Sequence, residues 1–231
     1  MKTRIRKGHG AYMLRQFFKY IFQSIAGMIG ISVYILADTF FISVHSGADG
    51  LAVLNLILPV YGLVYAIGAM IGIGSATRFG INRAKGENTD HYFLQSVFWS
   101  VLCSVPFIIT GIVAPEKFLH LLGADAGLTA LGKSYLRIML ITTPLFMVNY
   151  TFTAFARNDQ GTSTAMTGAI SASLFNIVFD YIFMFPMKLG LAGAALATAI
   201  SPAITMAICT THYLGKKNHV GFRWVRPSIR H

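Results

Sequence analysis

Six long stretches of this sequence contain no charged residue, and they constrain the fold more than any other feature. They are residues 20–37, 50–77, 91–115, 138–156, 160–179 and 189–215. Each has about the length that an α-helix needs to cross a hydrocarbon core of roughly 30 Å. Only 12% of all residues are charged, whereas about 25% is usual in a soluble domain. We therefore predict an all-α integral membrane protein.

The charged residues between these stretches predict six transmembrane helices. The predicted spans are residues 17–43, 50–76, 92–113, 135–156, 163–186 and 190–214. Gly, Pro and Ser inside the spans do not argue against helices, because neighbouring helices in a membrane satisfy the freed backbone groups. The chain is thus divided into a basic N-terminal segment at 1–16, a six-helix lobe at 17–214 and a basic tail at 215–231.

The distribution of the net charge of +11 predicts the orientation of the lobe. With both termini inside, 15 of the 19 Lys and Arg residues fall in the inner segments. The remaining four are Lys117, Lys133, Arg137 and Lys188. This excess is the positive-inside pattern, and it predicts a multi-pass protein of the plasma or inner cell membrane with both termini in the cytoplasm. The basic tails are then topology signals and inner-leaflet contacts, so no nucleic-acid partner is expected.

The reactive residue types show no pattern that is typical of an enzyme. Cys103 and Cys209 lie within predicted spans and lack metal-binding or redox spacing. The seven histidines form no HExxH motif or other catalytic constellation. We expect neither an enzyme nor a bound cofactor.

A short pattern occurs twice in the chain, which indicates an internal repeat. Residues 47–59 (GADGLAVLNLILP) and 190–202 (GLAGAALATAISP) share G-x-x-G-x-A-x-x-[N/T]-x-I-x-P without a gap. A similar Asp-x-x-Phe segment precedes each copy, starting at Asp38 and at Asp180. Spans 1–2 and spans 5–6 therefore resemble two copies of one hairpin, although Gly and Ala are common enough in membranes for chance to produce the pattern. Internal repeats recur in transporters, whose sites lie where the repeats meet.

Polar residues in three predicted helices lie at one membrane depth. Counting back from the outer helix ends at 1.5 Å per residue places Asp38, Asp180 and Thr198 each roughly 10 Å below the outer surface. Asn176 precedes Asp180 by one turn and shares its helix face. A charged carboxylate within a span costs on the order of 3 kcal/mol, so two of them need a reason. We predict that the four residues form a cation-binding site; the alternative is that the two aspartates lie at the membrane interface.

Two prolines add backbone oxygens near the same depth. Pro202 has no N–H for the carbonyl of Thr198, and Pro59 likewise frees the carbonyl of Asn55. Such carbonyls are candidate cation ligands where a helix lines a cavity. Asn55 and Asn149 are candidate secondary residues of the site. Carboxylate, amide, hydroxyl and carbonyl oxygens suit a proton or a hard monovalent ion, so H⁺ or Na⁺ is expected and no other metal.

Three segments of the chain resemble the multidrug and toxic compound extrusion (MATE) transporters. They are ADTFFISVHSGADGLAVLNLILPV, YLRIMLITTPLF with the following ARNDQGT loop, and FNIVFDYIFMFPMKLGLAGAALATAIS. The resemblance extends from about residue 16 to 217, and the Asn-x-x-x-Asp of span 5 followed by G-x-x-G-A-A-x-A-T is its most specific part. It implies a cation site in an amino-terminal six-helix lobe. By position, that site maps onto Asp38, Asn176, Asp180 and Thr198.

The resemblance implies cation-coupled antiport, in which amphipathic, often cationic compounds leave the cell as H⁺ or Na⁺ enters. The family has twelve helices in two lobes, so we expect this chain to be the amino-terminal half, as a fragment, a truncated product or a half-transporter. Its partners would then be small-molecule substrates, the lipid bilayer, and a second six-helix lobe or a second copy. The alternatives are a lipid-linked precursor flippase of the same superfamily and a membrane subunit that does not transport. The substrate is not specified by these residues.

Overall fold

The computed structural model describes residues 2–215 and 218–223, with side chains from residue 14 onward except at 15, 16, 19 and 31. Of the predicted basic tail, residues 216–217 and 224–231 lie outside the described residues. The described chain forms seven α-helices. They are α1 (Lys2–Ala84), α2 (Tyr92–Val113), α3 (Pro115–Leu121), α4 (Ala126–Ile141), α5 (Thr143–Asn158), α6 (Thr162–Met184) and α7 (Leu191–Tyr213).

Helix α1 contains the first two predicted spans, which a sharp reversal at Gly47 separates. Gly47 has φ +60° and ψ −145°, a backbone conformation that is essentially restricted to glycine. A Cβ atom on Gly50 would lie 3.1 Å from Ile42 Cγ2. Residues eight apart in a straight helix are separated by about 12 Å along its axis. The chain therefore turns back on itself, and α1 consists of two arms, 2–46 and 48–84.

The same turn geometry occurs at the start of the second repeat copy. Gly190 precedes α7 with φ +53° and ψ −134°, close to the values at Gly47. The next glycine of this copy again passes close to the preceding helix, because a Cβ on Gly193 would lie 2.7 Å from the carbonyl carbon of Phe183. The two hairpins share a turn conformation as well as a sequence pattern, which supports the predicted repeat.

Alanine at either turn glycine is expected to lower the stability of the lobe. A side chain in this conformation costs about 1–3 kcal/mol. The loss should be larger for Gly190→Ala, because the new Cβ would lie 2.8 Å from His45 Cε1, whereas nothing lies within 4 Å of a Cβ on Gly47. Thermal unfolding of the purified variants in detergent measures both effects. Wild-type stability in both variants would contradict the strained turn.

The fourth predicted span, 135–156, is wrong as a single uninterrupted helix. The structure has α4 and α5 instead, which meet at Thr142 with a bend of 45°. Pro144 cannot donate to the carbonyl of Leu140, and its ring disfavours helical geometry in the residue before it. The hydroxyl of Thr143 donates to that carbonyl at 2.8 Å. The described residues form seven helices because this span is split, α3 is additional and the first two spans are continuous, so the predicted number of six transmembrane helices is not confirmed.

The other three spans agree with the predicted bounds within two residues. Among the described residues, α1, α2, α6 and α7 are long and apolar enough to cross a membrane, and the α4–α5 pair makes a fifth if it counts as one span. Large apolar side chains on α1 point outward, with Leu36, Phe40 and Met70 exposed by 70%, 63% and 71%. Apolar surface of this extent is typical of contact with lipid or with another protein.

Buried clusters at the two ends of the bundle hold the helices together. The first cluster surrounds the reversal of α1 and includes Ile42, Tyr135 and Met184. The second cluster includes Phe79, Phe93, Phe155, Cys209 and Val220. We call the end of the bundle that contains the second cluster the basic end, because its charged residues are mainly cations. They include Arg78, Arg83, Lys85, Arg157 and Arg223.

Candidate cation-binding site

The four side chains predicted to form the site are all buried. Asp38, on the 2–46 arm of α1, is 8% exposed, and Asp180, on α6, is 0% exposed. Asn176 and Thr198 are 1% and 8% exposed. Asn176 and Asp180 are four residues apart on α6, so they project from one face of the helix. That face is directed towards α7, which carries Thr198.

Asn176 can form hydrogen bonds with Thr198 and with Asp180. In one orientation its amide nitrogen donates to Thr198 Oγ1 at 3.2 Å. In the opposite orientation, Nδ2 donates to Asp180 Oδ2 at 3.0 Å and the amide oxygen accepts from Thr198 Oγ1 and N at 3.2 Å. The second orientation gives Oδ2 of an ionised Asp180 a donor, because a carboxylate only accepts hydrogen bonds. In that orientation one amide pairs with both Asp180 and Thr198.

Both aspartates have a buried oxygen without a partner. Asp38 Oδ1 and Asp180 Oδ1 receive no hydrogen bond from the described residues. The helix segments that carry the two aspartates pack against each other, because the ring centroids of Phe41 and Tyr181 lie 6.1 Å apart. If both carboxyl groups were ionised they would repel each other, and a buried polar atom left unpaired is itself costly. A proton on one carboxyl group, or a cation held between the two, would relieve both costs.

Three tyrosines extend the polar neighbourhood of Asp38. Tyr34 is close enough to interact with both Asp38 and Asp180. The hydroxyl oxygens of Tyr61 and Tyr135 lie 3.4 Å apart, and both groups are within electrostatic range of Asp38. A phenol can donate to a carboxylate or accept from a carboxylic acid. The tyrosine hydroxyl groups are thus polar groups near Asp38, but among the described residues none of them donates to its unpartnered Oδ1.

Tyr135 was not among the residues predicted to form the site. It lies on α4 and is only 1% exposed. The signal that could have identified it is the helical spacing of buried residues on α4, at Gly132, Tyr135, Leu136, Met139 and Leu140. A tyrosine on such a face needs a partner for its hydroxyl, and this requirement points to the site.

The structure does not bring every predicted secondary residue to this group. Asn55 is exposed on the 48–84 arm of α1, and Pro59 is exposed on the same arm. Asn149, on α5, has a buried amide oxygen without a partner in the described chain. Pro202 is buried in α7, one turn after Thr198, and it has no N–H for the carbonyl of that residue. Thr198 can therefore offer both a hydroxyl and a carbonyl oxygen.

The donor set consists of oxygen atoms with a formal charge of up to −2. No Lys or Arg is among the buried residues of the described chain. The described residues also contain no group of three or more His, Cys, Asp and Glu side chains that could hold a metal ion. Such a set can bind a proton or a hard monovalent ion, because oxygen ligands favour hard cations.

Comparison with known families matches residues 24–182 to the family described as MatE. The chain belongs to the MatE family. The matched range is more than half of the chain, and it includes Asp38, Asn176 and Asp180. The predicted resemblance is thereby confirmed, and this MatE chain is an integral membrane protein with several apolar helices.

Its relatives include the multidrug export protein MepA of Staphylococcus saprophyticus, which is 28% identical over 202 residues. That match covers 85% of this chain and 44% of MepA. A MATE protein solved in the bent conformation is 28% identical, with a TM-score of 0.77 over 91% of this chain and 48% of the other. An outward-facing multidrug resistance MATE transporter is 25% identical, with a TM-score of 0.79 over 90% and 47%.

This MatE chain thus spans about half the length of the relatives it matches. The relatives are an export protein and transporters. The prediction that the chain is not an enzyme is therefore confirmed.

Proposed function

We propose that this chain is the amino-terminal lobe of a secondary active multidrug exporter. In this proposal, H⁺ or Na⁺ enters the cell in exchange for an amphipathic, often cationic organic compound. The observation that carries the proposal is the buried pair of Asp38 and Asp180, each with an unpartnered oxygen, in a chain of the MatE family. The export activity of MepA supports the same function.

Six membrane spans with both termini in the cytoplasm fit this function. Each arm of α1 counts as one span and the bent α4–α5 pair counts as another; α2, α6 and α7 complete the six. The basic end of the bundle then faces the cytoplasm, as expected from the 15 to 4 distribution of Lys and Arg. The cation site lies in the outer half of the lobe. The working location is the cell membrane, plasma or inner.

Coupling follows from the charge of the site. Asp38 and Asp180 take up a cation when the site is open to the outside, because neutralisation allows the two carboxyl groups to be buried together. They release it when the site is open to the inside. Such a cycle requires that the two states differ in cation affinity. Asn176 contributes through its amide, which donates to the ionised Asp180 and accepts from the protonated one.

Cation binding also changes the shape of the lobe. Asp38 lies nine residues before the reversal at Gly47, so drawing Asp38 towards Asp180 shifts the outer part of the 2–46 arm. This movement narrows the cavity in which the organic compound is held and displaces the compound. A MATE relative solved in the bent conformation supports such a movement.

The working unit contains a second lobe. The relatives are about twice as long as this chain, and the lobes of such transporters are related by pseudo-symmetry about the membrane normal. The second lobe is either another six-helix segment or a second copy of this chain. The DNA that follows codon 231 shows which of the two should be expressed with it.

Among the described residues no Lys or Arg is buried, which disfavours a flippase for a lipid-linked precursor. A phosphorylated headgroup would be expected to need cationic side chains in the cavity. Arg137 of α4 is exposed, so its long side chain can extend to the membrane surface. Cationic dyes are therefore the first substrates to test.

The proposed function is tested with the working unit in proteoliposomes loaded with ethidium. We expect dye export to follow an imposed H⁺ or Na⁺ gradient and to stop when an ionophore collapses that gradient. A rate of dye export that does not change with either gradient would contradict coupling. Translocation of a headgroup lipid instead of the dye would favour a flippase, and no flux of either would favour a subunit that does not transport.

A further inference from the structure

The residues that follow α7 pack against the basic end of the bundle. We call residues 218–223 the strap. Val220 is 4% exposed and belongs to the second buried cluster, and Phe222 contacts the rings of Phe93 and Tyr213 edge-on. The backbone N–H of Arg223 donates to the carbonyl of Asp90 at 3.0 Å. The strap therefore contacts α2, α7 and the turn between α1 and α2.

A single buried carboxylate joins the strap to two helices. Asp159, in the turn between α5 and α6, is 0% exposed. Its Oδ1 accepts from Arg83 Nη1 at 2.7 Å and lies 3.0 Å from His219 Nδ1. Its Oδ2 accepts from the backbone N–H of His219 at 2.9 Å and lies 3.1 Å from His212 Nε2. Asp159 thus connects the end of α1, the end of α7 and the strap.

The fit of the strap also depends on a glycine. A Cβ atom on Gly221 would lie 2.6 Å from Asp90 Cα and would also overlap the carboxylate of Asp90. Since backbone cannot give way as a flexible side chain does, any larger residue would push the strap away from the α1–α2 turn. Asp159 therefore holds the strap at His219, and Gly221 fits closely against Asp90.

The cluster that Val220 joins also contains a buried thiol. Cys209 of α7 is 0% exposed and belongs to the same cluster as Val220. Removing Val220 from that cluster would open it towards solvent. We propose that residues 218–223 form a strap that closes the basic end of this lobe, and that Asp159 is the residue that holds the strap in place. This role does not depend on the proposed cation coupling.

Alkylation of Cys209 tests the proposal. The purified chain carries Cys103→Ser, so Cys209 is the remaining thiol, and N-ethylmaleimide is the probe. We expect Asp159→Asn to raise the labelling rate about tenfold. Asparagine lacks the negative charge that strengthens the hydrogen bonds of Asp159, so the strap should open more often and expose the thiol. His219→Ala and Gly221→Ala should raise it in the same direction, since both loosen the strap and leave the contacts of Asp159 with Arg83 and His212 intact.

Two controls separate strap release from general loss of structure. Gly74→Ala matches Gly221→Ala in chemistry, but a Cβ at Gly74 meets nothing within 4 Å, so the labelling rate should stay at the wild-type value. Thermal unfolding is recorded for each variant, and faster labelling without a cooperative transition counts against the proposal. Wild-type labelling in both His219→Ala and Gly221→Ala overturns it, even if Asp159→Asn labels quickly. If Asp159→Asn does not fold, the other two variants decide the question.

Discussion

Asparagine at Asp38 or Asp180 is expected to reduce cation-driven dye export on the order of 100-fold, the upper part of the range for coupling between two sites. Asparagine keeps the size of aspartate, but it cannot take up and release a proton and offers no charge to Na⁺. Without a difference in cation affinity between the two states, the gradient cannot drive the cycle. Initial rates of ethidium export in proteoliposomes, at equal protein content, measure the effect.

The matched control is Asp49→Asn, because Asp49 is exposed beside the reversal of α1. Its export rate should stay near the wild-type rate. The double variant of Asp38 and Asp180 should lose little more than either single variant, since residues that act as a unit are not additive. Full export by either single variant would show that the pair does not couple.

Alanine at Gly72 is expected to destabilise the lobe by about 3 kcal/mol, in the upper part of the range for overpacking. Its Cβ would lie 2.8 Å from the backbone nitrogen of Thr151 and 2.8 Å from the carbonyl carbon of Tyr150. A rotamer change cannot relieve contacts with backbone, so α1 and α5 would have to separate. Helices in a membrane depend on such close packing, because lipid is as apolar as their side chains and the hydrophobic effect does not drive their association.

The control for this prediction lies two residues away. Gly74 is on the same arm of α1, and nothing lies within 4 Å of a Cβ placed there. Gly74→Ala should be neutral or stabilise the helix by up to about 1 kcal/mol, because alanine loses less conformational entropy than glycine. Thermal unfolding in detergent compares the two variants. Equal transition temperatures would contradict the close contact between α1 and α5.

The positions of the helices were largely predictable from the sequence, because charges bracket the apolar stretches. That signal gave α2, α6 and α7 within two residues. It did not locate the break at Thr142, because Pro144 and its neighbours lie inside an uncharged stretch and the local hydrogen bonds decide whether a proline bends a helix or ends it. It also did not show that the first two spans would meet at a single glycine, Gly47.

The candidate site was predictable where helix spacing determines which side chains share a face. Asn176 and Asp180 are one turn apart, and Asn176 bonds to Thr198 as it stands and to both Thr198 and Asp180 with its amide reversed. Asn55 shows the limit of an argument from depth. The buried residues of its arm include Val53 and Ile57, and Asn55 lies two residues from each, or about 200° around the helix. Depth alone does not specify which way a side chain points.

Asp38 and Asp180 are expected to bind the coupling cation in competition with the exported compound. The most direct measurement is the release of H⁺ or Na⁺ when the purified working unit is titrated with ethidium, followed with a pH indicator and with radioactive sodium. We expect the wild-type protein to release one of the two cations as the dye binds. If the bound cation lowers the affinity for the dye, the bound dye must lower the affinity for the cation by the same factor. The double variant Asp38→Asn and Asp180→Asn should bind dye without releasing either cation. Dye binding by the wild-type protein without cation release, or equal release by the double variant, would contradict this expectation.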